Sequence, residues 1–363
     1  MEQLHVSCIL YIVLPVVNVE SYKILFVVPT TLDSHRKSIY PLASFLGKRG
    51  HNVTIFMAGF PIVNKENYPE ESENVKNRIL ILRDGIDHAA RMESHLQFVT
   101  WYARNARSSD MTTPWRFFSS IAKDALERNG SFLNQFLFEE KWDLIVNDVI
   151  FSPLGILVAL KTNSTMVCIS TSAFQVGHMI RRPLPSPWSY SPTFYMPSHT
   201  YDHRNFFSRL HSFLHDVEDV ATTAYVDWSM VGIEFAKYHP KMSLDVLFGH
   251  SKLAMLQFPQ LLDYTQPLMR DLVYASIVCK RSAQQTTIDK GLDDFINDPD
   301  SRGTIVVAFG HMVKWSKAPN NVTHNFLQAL NMLKDYRIIW QFDGNAKELP
   351  LGKHIRIMKW LPQ

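Results

Sequence analysis

The chain has 363 residues, 46% of them hydrophobic and 20% charged, with a formal net charge of +3. That length supports two domains, each with its own core, and that composition excludes large-scale disorder. The basic residues are scattered, with Arg181-Arg182 and Lys280-Arg281 as isolated pairs, so there is no footprint for nucleic acid.

Ser7 to Val19 reads SCILYIVLPVVNV, a short apolar stretch ahead of small or polar residues. It is expected to be part of a cleaved secretory signal covering residues 1–21, with Tyr22 near the mature start. The other reading is a first buried strand. Cleavage removes Glu2 and Glu20 and no lysine or arginine, which takes the formal charge from +3 to +5. No later stretch reaches the roughly 18 to 20 consecutive apolar residues that span a bilayer, so no anchor is expected. Sequons at Asn52, Asn129, Asn163 and Asn321 fit a secretory route to the endoplasmic reticulum lumen, although Asn52 sits at the mouth of a predicted strand and is not expected to be glycosylated. Cys8 falls in the signal. Cys168 and Cys279 are too few for a disulfide framework, and Cys168, within TMVCIS, reads as a buried small hydrophobe.

KILFVV opens the mature chain as a fully buried parallel strand. After it, Ile39, Leu42, Ala43 and Leu46 recur on one helix face, Gly47 or Gly50 ends that helix, and NVTIFM is the next strand. The unit is strand, helix, strand, with a right-handed crossover. Residues 61 to 140 read as mostly helical and rich in aromatics, among them Trp101, Trp115, Phe117, Phe118 and Phe132; they suit core packing or the apolar wall of a pocket. DLIVN is a buried strand with Asp148 at its carboxyl end, SPLGILVAL a helix and TMVCIS a strand. Residues 182 to 197 hold too many prolines for regular structure and are expected to be a fixed loop over the sheet rim. A long helical region runs from about Phe206 to Lys241, then a strand at Leu253 to Gln257 and a polar connection over 260 to 303.

The expected domains are 22–285 and 286–363. The second opens with GTIVVAFG, a buried strand ending in Gly310. A helix comes next, whose apolar face carries Val322, Phe326, Leu330 and Leu333, and then the strands RIIWQF and HIRIMKW. Two well-separated units of this kind predict an α/β protein with two nucleotide-binding-like domains facing one another.

The turn after the first strand of such a sheet faces the ligand crevice, and here it carries His35 where a dinucleotide-binding unit carries glycines. A neutral imidazole takes a proton near neutral pH, and a carboxylate on its other nitrogen fixes the tautomer and stabilises the charged form. His35 and Asp148 on one rim would make such a pair; the alternative is a helix-capping histidine near a solvated aspartate. HExxH, CxxC, GxGxxG, GxSxG and GxxxxGK[ST] are all missing, so metal, dinucleotide, hydrolase and P-loop chemistries have little support.

Several segments together, DSHRKSIYPLASFLGKRGHNVTIF, WDLIVNDVIFSPLGILVAL, PLPSPWSYSP, GTIVVAFGHMV and IRIMKWLPQ, carry a likeness. The chain resembles the UDP-glucuronosyltransferases and related UDP-glycosyltransferases, its divergent nematode-like members in particular. The resemblance implies a GT-B fold with an acceptor-binding N-terminal domain, a donor-binding C-terminal domain and a cleft between them. His35 matches the family's catalytic base and Asp148 its partner. The implied reaction is a single inverting displacement that needs no metal or other cofactor, with a UDP-sugar as co-substrate and a small lipophilic alcohol or phenol as acceptor. At the donor end the resemblance places Gly310, the indole of Trp360 against uracil, and the amide of Gln363. A core aromatic is the plainer reading of Trp360. His311 departs from the small hydroxyl residue common after that glycine. WLPQ opens the family's donor signature, whose diphosphate-binding turn at a helix N-terminus would come after Gln363. On that reading the chain is truncated and is expected to show little transfer alone. The alternative is a non-catalytic lumenal protein that binds lipophiles or assembles with full-length members; an α/β enzyme unrelated to sugar transfer is a third reading.

Overall fold

A computed structural model describes residues 20–29, 33–59, 71–72, 74–82, 86–103, 106–171, 177, 180–181, 191–193, 195–196, 200–249, 251–257, 270–275, 288–310 and 313–361. The first sheet has eight strands: β1 Lys23–Val27, β2 Asn52–Gly59, β3 Glu71–Ser72, β4 Val75–Ile81, β5 Leu144–Asp148, β6 Thr165–Ser170, β7 Ala254–Leu256 and β8 Leu272–Tyr274. Their spatial order is β3-β4-β2-β1-β5-β6-β7-β8, and every pairing is parallel except β3 with β4. From β1 the chain builds outward on one side through β2 and β4, then returns with β5 to the other side of β1. The direction of winding therefore reverses between β1 and β5, where open α/β sheets hold their ligands.

Both faces of this sheet are covered, which is why its strands read as unbroken apolar runs. Leu25, Val27, Phe56 and Ile145 face one core, with helices α3 Thr112–Arg128 and α5 Pro153–Thr162; Ile24, Phe26, Ile55 and Val146 face the other, with α1 Asp33–Lys48. Helix α2 Ile86–Trp101 precedes α3, and a single turn, α4 Gly130–Leu133, comes after it. Beyond β6 come α6 Phe206–Val226, continued by a π-helical stretch Asp227–Ile233, and α7 Leu244–Gly249. Cys168 is buried and unbridged.

The second sheet has three parallel strands in the order β11-β10-β9: β9 Thr304–Val307, β10 Arg337–Gln341 and β11 Ile355–Met358. Helix α9 Asn320–Met332 connects β9 to β10, and α8 Lys290–Ile296 precedes β9. Trp340, fully buried, centres an aromatic core with Trp315, Phe326 and Phe342. Trp101 at the end of α2 reaches this core: its ring lies 5.2 Å from that of Trp315, and its Nε1–H donates to the Lys314 carbonyl at 3.1 Å.

Two expectations change and two are refined. The described part of 61 to 140 is mostly helical, as expected, but it also holds a strand, because VKNRILI pairs with β2 as β4; its Asn77 is buried and accepts from Arg36 Nη2 at 3.2 Å, which breaks the apolar signature of a strand. The polar connection over 260 to 303 contains β8 and α8, the latter capped by Asp289, whose side chain accepts from the Leu292 backbone N–H. The buried face of α9 carries Leu327 and Leu330, while Leu333 lies past its end and is exposed. Helix α1 runs through Gly47 to Lys48, so of the two expected terminators it is Gly50, at a φ of 92°, that ends it. Of the aromatics between 61 and 140, Trp115, Phe117 and Phe118 are core, whereas Phe132 is exposed. The expected signal, apart from Glu20 and Ser21, most of the proline-rich loop and the boundary near 285 lie outside the described residues. Among the described residues no helix is long and apolar enough to cross a membrane.

Candidate active site

Three adjacent strands deliver three polar side chains to one rim. His35 stands in the first turn of α1 after β1, Asp148 is the last residue of β5, and Thr171 comes directly after β6. His35 Nδ1 lies 2.7 Å from Asp148 Oδ2 and 2.8 Å from Thr171 Oγ1. The Asp148 side chain is fully buried, and that of His35 keeps 14% of its surface.

The partners decide the tautomer. A carboxylate only accepts, so Nδ1 carries the proton and donates it to Asp148, leaving the Nε2 lone pair uncommitted. Among the described residues nothing bonds Nε2. Asp148 is itself held in place, since its Oδ1 accepts from the Ile150 N–H at 3.0 Å. Behind it Asn147 and Ser152 bond reciprocally: Asn147 Nδ2 donates to the Ser152 carbonyl at 3.1 Å, and Ser152 Oγ donates to Asn147 Oδ1 at 2.9 Å. Phe151 takes a φ of 61°, a strained value for a bulky residue that this network and the ring stack on Phe118 sustain. The arrangement suits removal of a proton from a hydroxyl placed at Nε2.

The second domain offers a cavity of about 180 Å³ at the carboxyl ends of β9, β10 and β11, lined by Gly310, Lys314, Trp315, Gln341, Asp343 and Trp360 among others. It is smaller than the ~300–1,000 Å³ of a whole small-molecule site and would hold one end of a ligand. Gly310 has a φ of 71°, and its carbonyl accepts from the buried Gln341 Nε2 at 3.1 Å. Trp360 stands at the rim, 56% exposed, and so is not a core aromatic. Lys314 ties this wall to the first domain, accepting from Trp101 and donating its own backbone N–H to Gln97 Oε1 at 3.2 Å. Gln363 and His311 lie outside the described residues.

A family model described as "UDP-glucoronosyl and UDP-glucosyl transferase" matches residues 23–363. The chain belongs to that family. Among curated members of the UDP-glycosyltransferase family, human UDP-glucuronosyltransferase 3A1 is 24% identical over 95% of this chain and 64% of its own length. Human 2-hydroxyacylsphingosine 1-beta-galactosyltransferase is 26% identical over 94% of this chain and 60% of its own. The chain thus spans under two thirds of the length of these relatives. Among solved structures, a UDP-glucose: anthocyanidin 3-O-glucosyltransferase in complex with UDP superposes with a TM-score of 0.54 at 16% identity, over 94% of this chain and 73% of that one. The glycotransferase of kitacinnamycin gives 0.53 at 13%, over 94% and 72%. The fold of this UDP-glycosyltransferase family member is GT-B.

Sequence reading missed Thr171 and Gln341. Thr171 sits after an ordinary strand, and no spacing marks it. Gln341 carries a weak signal, an amide closing the apolar run RIIW. Asn147, a polar residue inside DLIVN, gave the clearest hint of a buried network.

Proposed function

We propose that this chain supplies the acceptor-activating rim and part of the donor wall of a UDP-sugar-dependent transferase acting on a hydroxyl of a small lipophilic alcohol or phenol. The observation that carries this reading is the His35–Asp148 pair at the point where the sheet reverses its winding. In the proposed step the acceptor oxygen attacks the anomeric carbon of the sugar while its proton passes to His35 Nε2. The bond from that carbon to the diphosphate oxygen breaks, and UDP leaves with the electron pair. Asp148 keeps the proton on Nδ1 and stabilises the imidazolium, and the attack from the opposite face inverts the anomeric centre. Relatives named for glucuronosyl and galactosyl transfer, and neighbours solved with UDP and UDP-glucose, support a UDP-sugar donor. The four sequons support a location in the secretory pathway.

The test is to incubate the full-length protein with a simple phenol and, in turn, UDP-glucose, UDP-galactose and UDP-glucuronate, and to read the anomeric configuration of the product by NMR. A β-glycoside from the α-linked donor is expected; retention of configuration would sink the single-displacement mechanism. At the donor end, Gly310, Gln363 and the face of Trp360 would hold the nucleotide. Stacking a base on an aromatic ring contributes ~1–3 kcal/mol, so Trp360→Ala should weaken UDP binding by about fivefold or more. Calorimetric titration with UDP reads this directly, and an unchanged affinity would remove Trp360 from the site.

A further inference from the structure

Helix α2 belongs to the first domain, yet one row of its side chains ends on a wall of the second. Glu93, Gln97 and Trp101 are spaced four residues apart, so they stand on successive turns of one face. Glu93 pairs with Lys314 Nζ, Gln97 Oε1 accepts from the Lys314 backbone N–H at 3.2 Å, and Trp101 Nε1–H donates to the Lys314 carbonyl at 3.1 Å. Away from this row the helix is fixed in its own domain. Met92 packs into the first core, and His95 Nε2–H donates to the Asp110 carbonyl at 2.9 Å.

The three contacts are not equal. Lys314 and Glu93 keep 36% and 45% of their side-chain surface, and an ion pair that open to water contributes little. Gln97 is buried, and the Trp101 ring packs on that of Trp315, so the two bonds to the Lys314 main chain are the ones shielded from water. Bonds to a main chain fix where a residue stands, whatever its side chain does. From its own domain Lys314 has the Lys317 N–H on its carbonyl at 3.0 Å, and the next residue but one, Ser316, is held through its N–H and Oγ by Asp343. The first domain therefore supplies the bond on the N–H of Lys314 and a second bond on its carbonyl.

We propose that Gln97 and Trp101 are positioning residues of the donor site: from the first domain they hold Lys314 and Trp315 in the shape that takes the uridine nucleotide. The proposal rests on the reading of the second-domain cavity as the donor wall. Lys314, Trp315 and Asp343 all line that cavity of about 180 Å³, which leaves little slack for a wall that shifts. A binding site keeps its affinity only while the groups behind it lock its walls in place. Contacts that served to join the domains could fall anywhere between them; these converge on the backbone of one residue in the cavity wall. Donor affinity is then set in part by side chains of the domain that activates the acceptor.

The experiment is calorimetric titration of the full-length protein with UDP, together with steady-state kinetics, in two variants that each remove one of these bonds. Gln97→Leu deletes the acceptor at nearly constant volume, and Trp101→Phe deletes the N–H while keeping a ring against Trp315. Each should weaken UDP binding about fivefold. The KM for the UDP-sugar should rise by the same factor, while kcat and the acceptor KM stay within about twofold of wild type. Near-UV circular dichroism checks that each variant is folded; should Gln97→Leu fail that check, Trp101→Phe carries the test. UDP affinity within about twofold of wild type in the folded variants, with Trp360→Ala still weakening it, overturns the inference and leaves the donor reading standing. Equal losses in kcat or in the acceptor KM also overturn it, since the contacts would then only join the domains. A wild-type protein that binds no UDP overturns the inference and the donor reading together.

Discussion

Asp148→Asn should cost as much turnover as His35→Ala, on the order of 10³-fold in kcat, while donor affinity and folding stay intact. The reason lies in which atoms of residue 148 are already committed. One carboxylate oxygen accepts from the Ile150 N–H and the other from His35 Nδ1. An asparagine has one acceptor to offer. If it keeps the Ile150 bond, its NH₂ faces Nδ1 and forces the imidazole into the opposite tautomer, with the proton on Nε2, where a base needs a lone pair. If it flips, two N–H donors confront each other at Ile150 in a fully buried position, at a cost of roughly 1–3 kcal/mol. The first arrangement therefore wins, and Thr171 Oγ, 2.8 Å from Nδ1, reinforces it by donating to the exposed lone pair. On the proposed mechanism His35 and Asp148 act as one unit, so the double variant should be no slower than the worse single one. Steady-state kinetics in the full-length protein checks both points. A rate for Asp148→Asn within tenfold of wild type would show that the imidazole does not depend on this carboxylate.

The placement of that pair was legible because it depends on topology. KILFVV and DLIVN are apolar on both faces, which marks buried parallel strands, and the residues at the carboxyl ends of such strands share one rim. Less was visible where the local signal was diluted. Strand β4 interrupts its apolar residues with Asn77 and Arg78, and the three-residue β8 has too few positions to show a period. Thr171 is close to His35 only because β5 and β6 are neighbours, a fact of strand order that sequence does not contain. Helix α6 shows the limit most clearly: its periodicity announces a helix, but the usual rule would bury Phe206, Leu210, Leu214 and Val217, which are exposed. The hydrogen bonds that hold the opposite face inward are long-range, joining Asp219 to Ser108 and Gly177.

Gly155→Ala should destabilise the first domain by roughly 2–5 kcal/mol, although alanine is the better helix former. Gly155 lies in α5, where exchange for alanine would ordinarily gain about 1 kcal/mol. Here a Cβ would sit 1.9 Å from Asn147 Oδ1 and 2.3 Å from its Cγ. Asn147 has nowhere to move, being fully buried and bonded to both the carbonyl and the hydroxyl of Ser152. Either its side chain gives up two buried hydrogen bonds, or α5 lifts off β5; both costs exceed the propensity gain. The second response matters for chemistry as well, because Asn147 and Ser152 bracket the turn that holds Asp148. Residual folded Gly155→Ala protein should therefore lose turnover beyond what its lowered denaturation midpoint explains. Denaturant titration together with kcat on the soluble fraction separates the two effects. A stability equal to or above wild type would mean that the strand and helix part at little cost, and the rigidity assigned to the Asp148 turn would fall with it.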